Sequence, residues 1–495
     1  MRCYVHSFSI LRAFAVAIGL LVILSPFTAQ AQTWNGAGAD DKWTTGANWV
    51  GTAPVATNAL IFGGTTRLTP VNDFAADTAF AGITFNNTAG AFVLTGNRIT
   101  LTGNVTNSDA DLQTINLDMI LGSTRTFNVN SGSIAVGGIL SGAGGLTLAT
   151  NTETARTLTL TGNNSYTGTT TVNGGILQVG GSAGDIAEST SIIVGNNSSA
   201  TTRLFLDNTL GVLNRIGDAA NVTLGGLGEL SLAGNGATAS VTETIGGLTI
   251  GTGSVSTSQT ISLSGTGTGQ LVTLAASGFT RVNNSTALIR GTNLGLQGTN
   301  ATRFTLGSTA GLTFVGTTTA NGSTPGTATD VKIAPYLFGD TGAAGNGNSF
   351  VTYDTTGGLR PLAATEYTTL SAGYTAPTNR ENVIAFNGAL TTTSPTVNSL
   401  LFSTASQTLS GSGTLTVNSG AVAAVANNVV IGGGFSGLTL GDGTWNEGVL
   451  NASSGNTLRI SAPLTITNNG ALTNNGAGTV LLTPLCVALS NGAAL

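Results

Sequence analysis

Apolar residues in this chain come in pairs two positions apart, and each pair is followed by a polar stretch rich in Gly, Asn or Thr. Ile99/Leu101, Ile134/Val136, Leu146/Leu148, Leu158/Leu160, Leu177/Val179, Ile192/Val194 and Leu204/Leu206 set the pattern. It runs on through Val222/Leu224, Leu230/Leu232, Leu248/Ile250, Ile261/Leu263, Val272/Leu274, Leu294/Leu296, Phe304/Leu306 and Leu312/Phe314. A period of two marks a strand buried on one face. A strand with two inward side chains cannot bury itself, so each needs a copy stacked above and below, which is the logic of a solenoid. No proline falls between Val71 and Thr324, so no ladder donor is deleted there. No segment after the N-terminus holds a 3.6-residue period with caps, so helices are not expected. Self-similar units, short corners and Asn at the turns favour a parallel β-helix over an antiparallel sandwich.

The pattern divides the chain. Residues 32–90 carry Trp34, Trp43 and Trp49, three of the four tryptophans. Large rings at one end suit a cap, because an open solenoid end exposes core and strand edge; the rival role is a sugar-stacking platform. Residues 91–320 read as β-helix rungs. Residues 321–398 break the pattern with Pro325, Pro335, Pro361, Pro377 and Pro395, and with Tyr336, Tyr353, Tyr367 and Tyr374. This stretch reads as an irregular insertion or a break between two stacks, and it is the natural place for a binding loop. Rungs resume over 399–495. The pattern is lost at Pro484, which reads as a truncated end.

Composition narrows the chemistry. Charged residues make up 7% of 495, against about 25% in an ordinary soluble domain. Mean hydropathy is +0.27, yet no apolar run beyond the N-terminus reaches the ~20 residues of a membrane span. Residues 1–31 have the form of an export signal: Arg2 and Arg12, the apolar core 13–24, and Ala29-Gln30-Ala31 before a cleavage point at Gln32. Its removal takes His6, the one histidine, together with Cys3, and leaves Cys486 alone. Histidine-based triads, histidine-containing zinc sites and intramolecular disulfides are thereby excluded from the mature chain. With Arg2 and Arg12 gone from 16 basic residues, against 21 acidic ones, the net charge is −7. It is spread thinly, with no basic patch for nucleic acid. Carboxylates are the remaining catalytic candidates: Asp40/Asp41 and Asp109/Asp111/Asp118, with Asp109 and Asp111 expected on one strand face. Asp442 sits in a single Gly-Asp-Gly, whereas calcium-binding arrays repeat it. No metal or cofactor site is expected.

The segment 158–179, LTLTGNNSYTGTTTVNGGILQV, is the sharpest unit. Leu158, Leu160 and Gly162 open it, Asn164, Tyr166 and Gly168 form its centre, and Thr170, Val172, Gly175, Leu177 and Val179 close it. This unit closely resembles the autotransporter-associated β-strand repeat, also called the passenger-associated transport repeat. The opening Trp-Asn-Gly…Asn-Trp…Phe-Gly-Gly also looks like the start of large exported proteins of this class. The resemblance implies a right-handed parallel β-helix (solenoid), exported by a bacterium to the outer-membrane surface or beyond, with the repeat residues in structural roles. After Tyr374 the chain lacks the aromatic girdles of a C-terminal membrane barrel, so self-transport is not expected. The reading is a structural passenger for display, adhesion or matrix association, without catalysis or stable membrane insertion once the signal is gone. Candidate partners are surface polysaccharide, other cells and the outer-membrane export machinery. The alternative is a carbohydrate-active β-helix, a lyase or hydrolase working through the carboxylates.

Overall fold

In the computed structural model the described residues are 30–151, 156–195, 201–211, 214–235, 239–253, 257–265, 269–317, 326–375, 379–483 and 487–488. The expected signal peptide, up to residue 29, and Cys486 lie outside them. The chain is all-β, with parallel strands stacked into a β-helix and only short 3₁₀ turns between them. None of its described helices is long and apolar enough to cross a membrane.

Three columns of strands build the first part. One column stacks Ala31–Trp34, Ala59–Phe62, Ile83–Phe85, Val105–Asn107 and Arg125–Val129, every pair parallel. A second stacks Val93–Gly96, Gln113–Ile115, Ile134–Val136, Thr157–Leu160 and Gly175–Val179. A third stacks Thr78–Phe80, Ile99–Leu101, Met119–Leu121, Leu140–Gly142 and Ser165–Tyr166. The two-residue apolar period becomes register: Ile134 lies on Leu158 and Leu158 on Leu177, while Val136 lies on Leu160 and Leu160 on Val179. All of these side chains are buried in one continuous core. Hydrogen bonds between successive turns of this region span 21 to 24 residues; further along they span 26 to 35 as the corners lengthen. Most left-handed non-glycine corners among the described residues are Asn, including Asn283, Asn284, Asn293 and Asn300, where a short polar side chain tolerates that backbone.

Aromatic rings cluster in the first rungs. Trp34 meets Trp49 edge-on at 5.2 Å, Trp43 meets Trp49 at 6.4 Å, and all three touch Phe62. Their side chains are 0–2% exposed. Rings enclosed to this degree offer no face to a sugar.

The join between two stacks lies inside 321–398 and is shorter than that segment: among the described residues the first stack runs to Ala334–Asp340 and parallel stacking restarts at Thr368–Thr369. Ala334–Asp340 extends the second column by pairing parallel to Thr286–Gly291. Ser349–Asp354 and Gly358–Pro361 then turn back antiparallel, a hairpin geometry that a tight connection permits. Arg360 sits inside this meander between Asp354 and Glu366, at 3.2 and 2.7 Å, with all three side chains at most 1% exposed. Parallel stacking begins again with Thr368–Thr369, Asn382–Ile384 and Thr396–Phe402. It continues through Thr408–Ala424, Glu447–Ala452 and Ala471–Asn475 around a second core.

The second stack runs back along the first. Asn398 bonds the Val315 carbonyl, Glu447 meets Arg281, and Asn475 accepts from Ser258. As numbers rise in one stack they fall in the other, so the two β-helices lie side by side in opposite directions. Near the reversal a small third core of Val331, Ile333, Phe338, Phe350 and Leu401 takes in the outward methyls of Ala421 and Ala423.

Candidate functional site at the seam between the stacks

The seam brings together charged, aromatic and amide side chains of both stacks. Arg281 closes the strand Leu271–Arg281, and Glu447 opens the strand Glu447–Ala452 of the other stack. They form a two-pronged ion pair, with both N–O distances at 2.7 Å and side chains 13% and 7% exposed. The Arg281 guanidinium lies 4.2 Å from the ring centre of Tyr336 and 5.8 Å from that of Trp445, and those two rings stack at 6.1 Å. Thr473 donates to Glu447 at 2.6 Å, and the Trp445 indole donates to its carbonyl at 3.0 Å. Burial pushes the Tyr336 hydroxyl above its usual pKa. The Asn475 amide oxygen accepts from Ser258 at 3.1 Å and Thr286 at 2.9 Å, pinning the stacks a second time.

Beside this clasp lies a cleft of about 310 Å³. Its first wall is the outward face of three rungs: Glu229, Thr260 and Leu288 on successive strands, with Arg290 beyond. Its second wall brings Asn451 and Asn475 from the other stack. Arg290 spans the floor, donating to Ser262 at 2.7 Å, to the Gly345 carbonyl at 3.1 Å and to Glu229 at 3.4 Å.

Of the sequence-predicted acids, none enters this cleft. Asp40 is held below the usual carboxylate range by the Thr45 hydroxyl and the Lys42 backbone N–H. Asp41 pairs with Arg67 at 3.1 Å. Asp109 and Asp111 do not share a strand face, because the chain bends after Val105–Asn107. The Asn107 side chain accepts the Asp109 N–H at 2.9 Å, and Asp109 accepts the Asp111 N–H at 2.9 Å, a pair of side-chain-capped turns. Asp118 accepts the Ile139 N–H at 2.8 Å at another corner. Asp442 accepts from Thr444 and Trp445 backbone, both at 2.8 Å. Among the described residues no three His, Cys, Asp or Glu side chains gather as metal ligands would. The seam residues were missed because Arg281 and Glu447 stand 166 residues apart and carry no local signal. Tyr336 belongs to the segment 321–398 named above as the natural place for a binding loop, and it is in this clasp.

The sharp unit at 158–179 forms one complete rung, with its apolar positions in the core and its buried polar positions at the corner. Leu158, Leu160, Val172, Leu177 and Val179 fill the core. Asn164 is a buried corner amide joining three rungs. Its oxygen accepts the Leu140 N–H, and its nitrogen donates to the Gly162 and Asp185 carbonyls, all at 2.8 Å. Tyr166 is 1% exposed, and its hydroxyl meets Thr170 at 2.7 Å. Thr170 in turn meets Ser189 at 2.9 Å, which donates to the Gly168 carbonyl. Burial pushes the Tyr166 hydroxyl far above the usual phenol range, so it stays a neutral hydrogen-bonding group. Gly168 is required by contact: a Cβ there would stand 2.4 Å from the Gly145 nitrogen. Gly175 is required by conformation, with φ of +76°. Residues 155–179 match the family model of the passenger-associated-transport-repeat.

The passenger-associated transport repeat thus occupies one rung, and its spacing is the spacing of that rung. Leu-x-Leu and Leu-x-Val are consecutive strands of one column, Thr157–Leu160 under Gly175–Val179. The Asn, Tyr and Gly between them build the corner. The repeat points to an autotransporter passenger-type region. No match emerges among curated proteins or solved structures.

Proposed function

We propose that this chain is an exported structural passenger, a rigid double-stack β-helix that holds lateral surfaces away from the cell for display, adhesion or matrix association, without catalysis of its own. The observation that carries this reading is the passenger-associated transport repeat, built as a full rung within a parallel stack. Stacked parallel rungs protect their backbone in ladders, so the fold suits an exposed and protease-rich setting. Residues 1–31 act as the signal peptide in this reading, with cleavage before Gln32, inside the first strand Ala31–Trp34. After cleavage the chain does not insert in the membrane, reaches the surface through the outer-membrane export machinery, and binds surface polysaccharide or other cells, not nucleic acid. The seam cleft supports binding better than hydrolysis, since its one carboxylate, Glu229, is tied to Arg290. Fractionation and protease shaving of intact cells producing the tagged full-length protein test the proposal. Surface-accessible or released material of the size expected after cleavage is the expected result. A soluble periplasmic product would overturn it.

A further inference from the structure

We propose that the seam cleft is a binding site for a short neutral oligosaccharide. The proposal deepens the adhesion reading by naming the ligand class and the residues that take it. Three observations support it.

The first is charge. Glu229 and Arg290 are the ionised groups lining the cleft, and they face each other at 3.4 Å. The Arg290 guanidinium is also committed to Ser262 and the Gly345 carbonyl. The cleft therefore offers no uncompensated charge to a phosphate, a uronate or an amine.

The second is an unmet amide. Asn451 lines the cleft, is 4% exposed, and its Oδ1 is buried without a hydrogen-bond partner. An unpaired buried carbonyl oxygen is costly; turned toward the cleft, the Asn451 oxygen would accept a ligand hydroxyl and be relieved of that cost. Its ladder neighbour Asn475 lies one rung on and is already satisfied by Ser258 and Thr286, so the vacancy is specific to Asn451.

The third is the alternation of apolar and hydroxyl surface. Leu227, 45% exposed, and Leu288 lie beside Ser258 and Thr260. A sugar ring presents C–H faces and hydroxyl edges, and this surface pairs with both. An extended peptide fits less well. The wall strands have neighbours on both sides, so their backbone groups are engaged in rung-to-rung ladders, leaving no free strand edge to add to.

The test uses the purified chain without its signal peptide. Neutral gluco-, manno- and galacto-configured tetrasaccharides are titrated against it by calorimetry and saturation-transfer NMR, with an oligogalacturonate and a Leu/Ser/Thr heptapeptide as controls. At least one neutral tetrasaccharide is expected to bind. Its affinity should fall about tenfold or more, the worth of one good hydrogen bond, in Asn451→Leu, which keeps the volume and removes the amide. The Leu288→Trp variant, which fills the cleft from a half-buried position, should abolish binding. Both variants should keep the parent melting temperature within a few degrees. Should Asn451→Leu misfold, Leu288→Trp alone decides the matter. Failure of all neutral tetrasaccharides at millimolar concentration, preference for the oligogalacturonate or the peptide, or binding indifferent to Leu288→Trp would each overturn the proposal. None of these bears on surface display, which is read from cells.

Discussion

Removing Glu447 should open the seam while leaving the first stack intact. In Glu447→Ala the Arg281 guanidinium keeps its place between Tyr336 and Trp445 but loses both 2.7 Å bonds to carboxylate. Thr473 loses its acceptor as well. Removing one partner of a largely buried ion pair costs about 3–5 kcal/mol, because the other charge stays desolvated. The ring contacts, about 1–2 kcal/mol, remain and hold the arginine in place. With the cost at the lower end, since Arg281 retains some contact with water, about 3 kcal/mol is expected, or roughly a hundredfold in a local opening equilibrium. Hydrogen exchange read by mass spectrometry separates the regions. Amides of Glu447–Ala452 and Ala471–Asn475 should exchange about a hundredfold faster, while those of Ile134–Val136 and Leu146–Ala149 should not change. The double variant Arg281→Met/Glu447→Met should recover most of the loss, since an apolar pair removes the stranded charge. Uniform loss of protection along the whole chain, or a double variant no better than the single, would refute the view of the seam as a discrete and separable contact.

Three further outcomes follow from the rungs. Asn164→Ala removes three 2.8 Å bonds from a buried corner and strands the Leu140 N–H; a loss of about 2–4 kcal/mol is expected in urea unfolding. Gly168→Ala forces a Cβ to within 2.4 Å of backbone that cannot swing aside, so strand Ser165–Tyr166 should lose exchange protection, while Gly46→Ala, with 3.6 Å of room, should be near neutral. Glu243 is buried and accepts the backbone N–H groups of Arg215 and Ile216, and burial pushes its pKa up to about 8. An acid that binds its proton more tightly in the folded state makes stability fall as pH rises from the ordinary glutamate range toward 8. Glu243→Gln should flatten that slope in melting curves taken between pH 5 and 8, and an unchanged slope would count against the assignment.

The interior of each rung was legible because inward residues declare themselves every second position: Leu158, Leu160, Leu177 and Val179 are core residues in register. The corner residues of the repeat were legible as a motif, yet their roles were not. Nothing local says that Asn164 reaches both the rung above and the rung below. Asp109 and Asp111 misled because a spacing of two suggests a shared strand face, whereas Asn107 and Asp109 capture backbone N–H groups and turn the chain. The seam was illegible for a different reason. Outward residues of a rung obey no period until a second surface covers them, so Ala421 and Ala423 read as ordinary small residues and become buried only against Phe338 and its neighbours. Arg281 and Glu447 are likewise isolated charges until two stacks running in opposite directions bring them together.

That opposed arrangement has a mechanical consequence. Two slender rods lying side by side bend almost independently if they can slide, and their stiffnesses merely add. If they cannot slide, bending one must stretch the other, and resistance in their common plane exceeds that sum. Arg281 with Glu447, and Asn475 with Ser258 and Thr286, join the rods across different rungs, where sliding would have to break them. They act as shear keys. The molecule gives up reach by doubling back and gains the rigidity of a beam.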